Sequence, residues 1–163
     1  MSIRLKDYDY SQAGAYFITV CTHNRECLFG EMANGEMRLN GLGEIVKMVL
    51  LELTHHYEHV ELDEFAIMPN HVHSIIILHD AVGAGLKPAP TIKRHGVPEI
   101  VRGFKTFSAR HINQTRNTPG ARVWQRNYYE HVIRNDDELN QMREYITQNQ
   151  MQWELDEENP RNR

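Results

Sequence analysis

Cysteine is nearly missing from this chain of 163 residues, with only Cys21 and Cys27 present. Two thiols cannot staple a secreted scaffold, and their spacing matches no zinc motif, so reduced cysteines in a cytoplasmic protein are expected. No apolar run approaches the ~20 residues that a membrane-spanning helix requires, so no membrane partner is expected. Residues Met1 to Tyr10 lack the apolar stretch of a secretory signal. Nor is there an internal repeat, a helix-turn-helix signature or a finger motif. With 40% hydrophobic and 25% charged residues, the composition is that of a globular protein. One domain over residues 1–163 is expected, with a core at about 16–153, a flexible loop at about 80–98 and an acidic, frayed tail at 154–163.

Positive charge is in deficit overall, with a net −4, yet it is concentrated. The segment Lys87 to Arg126 holds nine of the 18 Lys and Arg residues and, in Glu99, one of the 22 carboxylates. A basic block in an acidic protein is the electrostatic mark of a phosphate-binding face. Candidate contacts to such phosphates are Arg94, Arg102, Lys105, Arg110, Arg122 and Arg126. Trp124 is a candidate for stacking on unpaired bases, with core packing as its plainer role.

Tyr16 to Thr22 is dense in β-branched and aromatic residues and reads as a strand. Asn34-Gly35 marks a turn beside a short strand at Glu36 to Leu39. Ile45, Val46, Val49, Leu50 and Leu53 recur at helical spacing between Gly43 and Tyr57. Val60 to Met68 and Val72 to Leu78 are two further strands, separated by Pro69-Asn70. Pro98 opens a helix to about Gln114, whose apolar positions are Ile100, Val101, Phe104, Phe107, Ala109 and Ile112. An extended segment lies within Val123 to Ile133. Asn135 caps a last helix running to about Trp153, with Asp136, Asp137 and Glu138 at its positive end. The order β-α-β-β-α-β plus a C-terminal helix is the split βαβ, ferredoxin-like pattern, an α+β fold with one antiparallel sheet. Two helices would cover one face, and the third strand would be central or near-central.

That third strand carries His71 and His73. Side chains two apart leave the same face of a strand, so both imidazoles point to one spot, as two ligands of a single metal ion would. On the last helix Tyr145 and Asn149 stand four apart, on the flank of the stripe Leu139, Met142, Ile146 and Trp153. An amide oxygen is a fair ligand beside two imidazoles, and a phenol one turn earlier can act as a nucleophile. Packing at a core margin is the plainer role of such a tyrosine. Tyr128 and Tyr129 are rival nucleophiles, but period-2 geometry sends them to opposite faces.

Met68-Pro-Asn-His-Val-His73, Trp124 to Asn135 and Tyr145-Ile-x-x-Asn149 together resemble the landmarks of single-tyrosine HUH (His-hydrophobic-His) transposases. The branch they are most similar to is the REP-associated tyrosine transposases, tied to repetitive extragenic palindromes. The resemblance spans roughly Tyr16 to Trp153. It implies an enzyme that cuts and rejoins single-stranded DNA near hairpins through a 5′-phosphotyrosine. It further implies Tyr145 as nucleophile and His71, His73 and Asn149 as ligands of one divalent cation, Mg²⁺ or Mn²⁺. Asn at position 149, where the insertion-sequence branch usually has Gln, is similar to the palindrome-associated branch. The implied partner is single-stranded or hairpin DNA, the assembly a monomer or homodimer, and the setting cytoplasmic and nucleoid-associated. Two alternatives stay open: a domesticated hairpin-binding protein that does not cut, and a metal-dependent phosphodiesterase that uses water.

Overall fold

A computed structural model describes residues 10, 12–80 and 95–162. The central sheet has the order β4-β5-β1-β6, built from β1 (Gly14–Cys21), β4 (Val60–Ile67), β5 (His71–Leu78) and β6 (Tyr129–Ile133). Every neighbouring pair is antiparallel. Strands β2 (Gly30–Ala33) and β3 (Glu36–Leu39) form a separate hairpin. Its turn is Asn34-Gly35, both with positive φ (53° and 77°), which matches the twist of the flanking strands. The expected ferredoxin-like pattern is therefore present, and the histidine strand β5 is central.

Alternation sorts the sheet's two faces. Tyr16, Ile18 and Val20 of β1 and Val72 and Ile76 of β5 join one hydrophobic cluster with helices α1 (Gly41–His56) and α2 (Val97–Arg116). Phe17 and Ile75 point the other way and meet helix α3 (Asp136–Gln148) through Ile146, with Leu139 and Met142 at the margin. Helix α1 buries Val46, Val49, Leu50 and Leu53, as their spacing predicts, behind the Asn40 side chain that caps Gly43 N–H. Asn135 caps α3 in the same way through Glu138 N–H. Arg143 of α3 makes a two-pronged ion pair with Asp63 of β4 (2.8 Å on each prong), tying the helix across the sheet.

Several expectations need correcting. Helix α3 ends at Gln148, not near Trp153, and Asn149 is its C-cap. Trp153 belongs instead to a short 3₁₀ turn (Trp153–Leu155) and is buried against the His71 ring. The tail beyond it is folded rather than frayed. Glu158 pairs with Arg25 (2.8 Å), and Asn159 Nδ2 donates to the Trp153 carbonyl (3.0 Å). Phe107 does not enter the core; it is 38% exposed and stacks on His56. Most of the expected loop, with Lys87, Lys93 and Arg94, lies outside the described residues.

Ile146 is the one α3 side chain fully buried among the described residues. Replacing it with Ala should lower unfolding free energy by about 2–5 kcal/mol, and with Val by about 0.5–1.5 kcal/mol. Urea denaturation measures both, and a negligible loss for Ala would mean that α3 is not seated through this residue.

Candidate active site

The turn between β4 and β5 sets the position of the histidines. Pro69-Asn70 reverses the chain so tightly that Met68 N–H bonds the His71 carbonyl (2.8 Å). His71 and His73 then leave the α3 side of β5, with ring centroids 4.6 Å apart. Both are buried, at 0% and 4% exposure. The Asn70 amide donates to the Arg25 and Glu158 carbonyls, which aims its Oδ1 at His71 Nδ1, 2.8 Å away. An amide oxygen only accepts, so His71 Nδ1 carries the proton and Nε2 presents a bare lone pair. Thr19, directly opposite His73 in the β1–β5 register, places its hydroxyl 2.7 Å from His73 Nδ1. A hydroxyl can donate or accept, and in the tautomer in which Thr19 accepts, His73 Nε2 is bare as well. Phe17 stacks on the His73 ring from below, with centroids 5.4 Å apart.

Helix α3 brings the other two residues. The Tyr145 ring is 43% exposed, and its centroid is 5.4 Å from that of His73. Asn149 is buried at 3% exposure beside His71 and Tyr145, where its amide tempers the downward shift that burial imposes on His71 and the upward shift that burial imposes on Tyr145. His71 Nε2, His73 Nε2 and Asn149 Oδ1 are all buried without a hydrogen-bond partner. Two nitrogens and one oxygen, each with a free lone pair, are a fitting donor set for a divalent cation. Among the described residues no three His, Cys, Asp or Glu side chains form such a group; the fit depends on the amide.

Asp156 adds a carboxylate at the edge of this set. Its Oδ2 is buried and lies 3.7 Å from His71 Nε2, too far for a hydrogen bond. With Glu157, Glu158, Tyr129 and Tyr145 it lines a cavity of about 610 Å³ that reaches His73. Burial holds both imidazoles below their ordinary value, well below for His73, where the neighbouring His71 adds to the effect. Burial, followed by Asp156 and Glu157, pushes the Tyr145 phenol up. Burial and Glu158 push the Cys21 thiol to about 12, so it stays protonated at this cavity's edge.

The structure therefore brings His71, His73, Tyr145 and Asn149 together. Tyr129 opens on the same cavity with its ring against Phe17, and Tyr128, just before β6, lines that cavity as well while packing against the α1–α2 cluster, so the expected division of the pair between opposite faces is incomplete. Trp124 does not serve as a stacking platform. It is 5% exposed, wedged between Phe29 and Phe104, and its Nε1 donates to Ser108 (2.9 Å). Lys105 is likewise no free phosphate contact, because its ammonium donates to the carbonyls of Gln125, Arg126 and Asn127. Arg102, Arg110, Arg122 and Arg126 are exposed. Sequence reading missed Thr19 and Asp156. Thr19 is legible only once strand register is known, and Asp156 only once the tail is seen to fold back.

No family model matches this chain. It is 41% identical over 168 residues to a protein of Haemophilus influenzae described as uncharacterized, covering 96% of this chain and 91% of that one. The chain belongs to one family with that protein. Among solved structures, it resembles a REP-associated tyrosine transposase bound to a REP hairpin, with a TM-score of 0.59 and 19% identity over 91% of this chain and 72% of that one. A candidate transposase of Deinococcus radiodurans gives a TM-score of 0.50 and 19% identity over 91% of this chain and 97% of that one. At these identities the likeness establishes a shared fold. Among the described residues no helix is long and apolar enough to cross a membrane.

The two depressed histidines make stability depend on pH in one direction. Folded, each resists its proton; unfolded, each takes it near the usual ~6.5. Their contribution is complete above that value and is lost as pH falls below it toward the lowered folded values. Melting temperature should drop between pH 7 and 5, and less steeply in His73→Gln. An equal slope in that variant would show that His73 is not held neutral by the fold.

Proposed function

We propose that this chain is a single-tyrosine HUH-type DNA strand transferase acting on single strands beside hairpins, with Tyr145 as its nucleophile. One observation carries the reading: three unpartnered, buried polar atoms on His71, His73 and Asn149 converge beside a half-exposed phenol. The likeness to a transposase that binds a REP hairpin supports a palindromic hairpin as the DNA class.

His71, His73 and Asn149 would hold a divalent cation, Mg²⁺ or Mn²⁺, which supplies charge stabilisation for phosphoryl oxygens. Asn70 and Thr19 orient the two rings so that their Nε2 atoms face the site. Tyr145 Oη attacks the scissile phosphorus in line. A bond from Oη to phosphorus forms, the bond from phosphorus to O3′ breaks, and the strand is left with a free 3′-OH and a 5′-phosphotyrosine. The phenolic proton departs and O3′ gains one, so atoms and charge balance without ATP. Attack by a 3′-OH on the phosphotyrosine reverses the step and rejoins strands. The raised phenol pKa keeps Tyr145 protonated at neutral pH, so the attack requires that proton to be drawn off during the step.

A second reading, a hairpin-binding protein that does not cut, is favoured by Asp156, Glu157 and Glu158. Their carboxylates line the cavity where a phosphodiester would enter. The two separate on incubation with single strands carrying the palindromes that flank its own gene, in Mn²⁺ or Mg²⁺. Wild-type protein should form a covalent DNA conjugate detectable by mass spectrometry. Tyr145→Phe should form none while keeping DNA affinity within about threefold. His71→Ala should weaken Mn²⁺ binding, followed by paramagnetic resonance, by about 10–100-fold or more, given that even outer-shell partners of metal ligands cost that much. A conjugate that survives Tyr145→Phe would relocate the nucleophile, and hairpin binding with no conjugate in wild type would establish the second reading.

A further inference from the structure

A second cavity, of about 630 Å³, lies between α2 and the loop that follows Trp124. Arg102 and Thr106 form one wall, and Arg126, Asn127 and Tyr128 the other. Asn127 and Tyr128 also line the cavity that holds Tyr145, so the two spaces adjoin across this loop. Their charges are opposite. The first is edged by Asp156, Glu157 and Glu158, whereas no acidic residue is among the described residues lining the second.

The loop between them is held by an unusual device. Lys105 Nζ donates to three successive carbonyls, those of Gln125 (2.8 Å), Arg126 (3.1 Å) and Asn127 (3.1 Å). An ammonium has three donors, so none is left for an outside anion. The same group lies 5.6 Å from the centre of the Tyr128 ring. Gln125 N–H is bonded to the Cys21 carbonyl (2.9 Å), which ties the loop's start to β1. The loop is thus a fixed partition with Arg126 and Arg102 facing one space. Neither guanidinium forms an ion pair among the described residues, and both are exposed. Arginine's planar fork suits a phosphate, which two guanidinium groups can hold from either side.

We propose that this second cavity is the subsite for a neighbouring phosphate of the same DNA strand, held between Arg102 and Arg126. The strand runs from the Tyr145 cavity across Asn127 and Tyr128 and into the basic cavity. Affinity and chemistry are then divided. The basic cavity supplies attraction for the backbone, which the carboxylate-edged cavity opposes. Lys105 is a positioning residue that keeps the partition in place. The proposal rests on the strand-transferase reading, and it names where the unpaired flank of that substrate binds.

The test compares three single strands that carry the palindrome flanking its own gene, one with both unpaired flanks and two with a single flank trimmed, each from a different side. Binding is measured by fluorescence anisotropy across a salt series, with wild type and the double variant Arg102→Gln/Arg126→Gln. The double variant should bind the fully flanked strand about tenfold more weakly than wild type, as loss of charge-assisted bonds implies. Its salt dependence should fall by about 0.7 in slope, the value for one single-strand phosphate contact. Against one trimmed strand the loss should be clearly smaller. Arg102→Lys/Arg126→Lys, which keeps charge but not the fork, should recover part of the affinity and the salt slope. Equal weakening on flanked and trimmed strands, or none on either, overturns the subsite. If wild type forms no DNA conjugate with any strand, the strand-transferase reading fails, and the flank comparison still decides the subsite.

Discussion

Three polar atoms buried without partners set the terms for this structure. His71 Nε2, His73 Nε2 and Asn149 Oδ1 each forgo a hydrogen bond that water would have supplied. Such a loss costs about 1–3 kcal/mol for each buried group. A domain with a total stability of ~5–15 kcal/mol retains such groups only if surrounding packing holds them there. Phe17 beneath His73, Trp153 beside His71 and Ile146 beneath α3 provide that packing. In the proposed function a divalent cation takes up the lone pairs, and the fold's cost becomes the site's binding capacity.

The rest of the architecture serves this convergence by dividing the sheet into a hydrocarbon face and a chemical one. Helices α1 and α2 pack together on the first face, and their apolar side chains anchor β1 and β5. That anchoring lets the second face carry histidine and threonine at the centre of the sheet. Asp63 and Arg143 fasten α3 across this face, so the tyrosine rides on a helix held at both core and edge. The folded tail closes one side and brings three carboxylates to the cavity mouth. In the proposed function, a site that admits a phosphodiester is thus guarded by charge of the same sign, and a cation held there would offset that repulsion.

Much of this was legible in the chain because it rests on periodicity. Alternation placed His71 and His73 on one face, and helical spacing placed Tyr145 and Asn149 one turn apart. Both relations survive although α3 stops at Gln148, because Asn149 keeps helical backbone angles (φ −60°, ψ −37°) as the cap. A place in the basic segment makes Trp124, whose plainer role is core packing, a candidate stacking platform, and Lys105 a candidate DNA contact. Burial decides otherwise: a tryptophan finds Phe29, Phe104 and Ser108, and an ammonium finds three carbonyls. Neither partner set is near in sequence, so composition could not announce it.

By itself the sequence determined which side chains share a face, since the 2.0 and 3.6 residue repeats are local properties of the backbone. It determined the strand and helix order too, and with it a sheet whose third core strand is central. Tertiary structure alone decided that the β5 face and α3 meet, that Thr19 stands opposite His73, and that the tail returns to bring Asp156 within 3.7 Å of His71. Those are pairings between segments far apart along the chain. They are settled by register and by packing of whole elements, and no local pattern of residues encodes them.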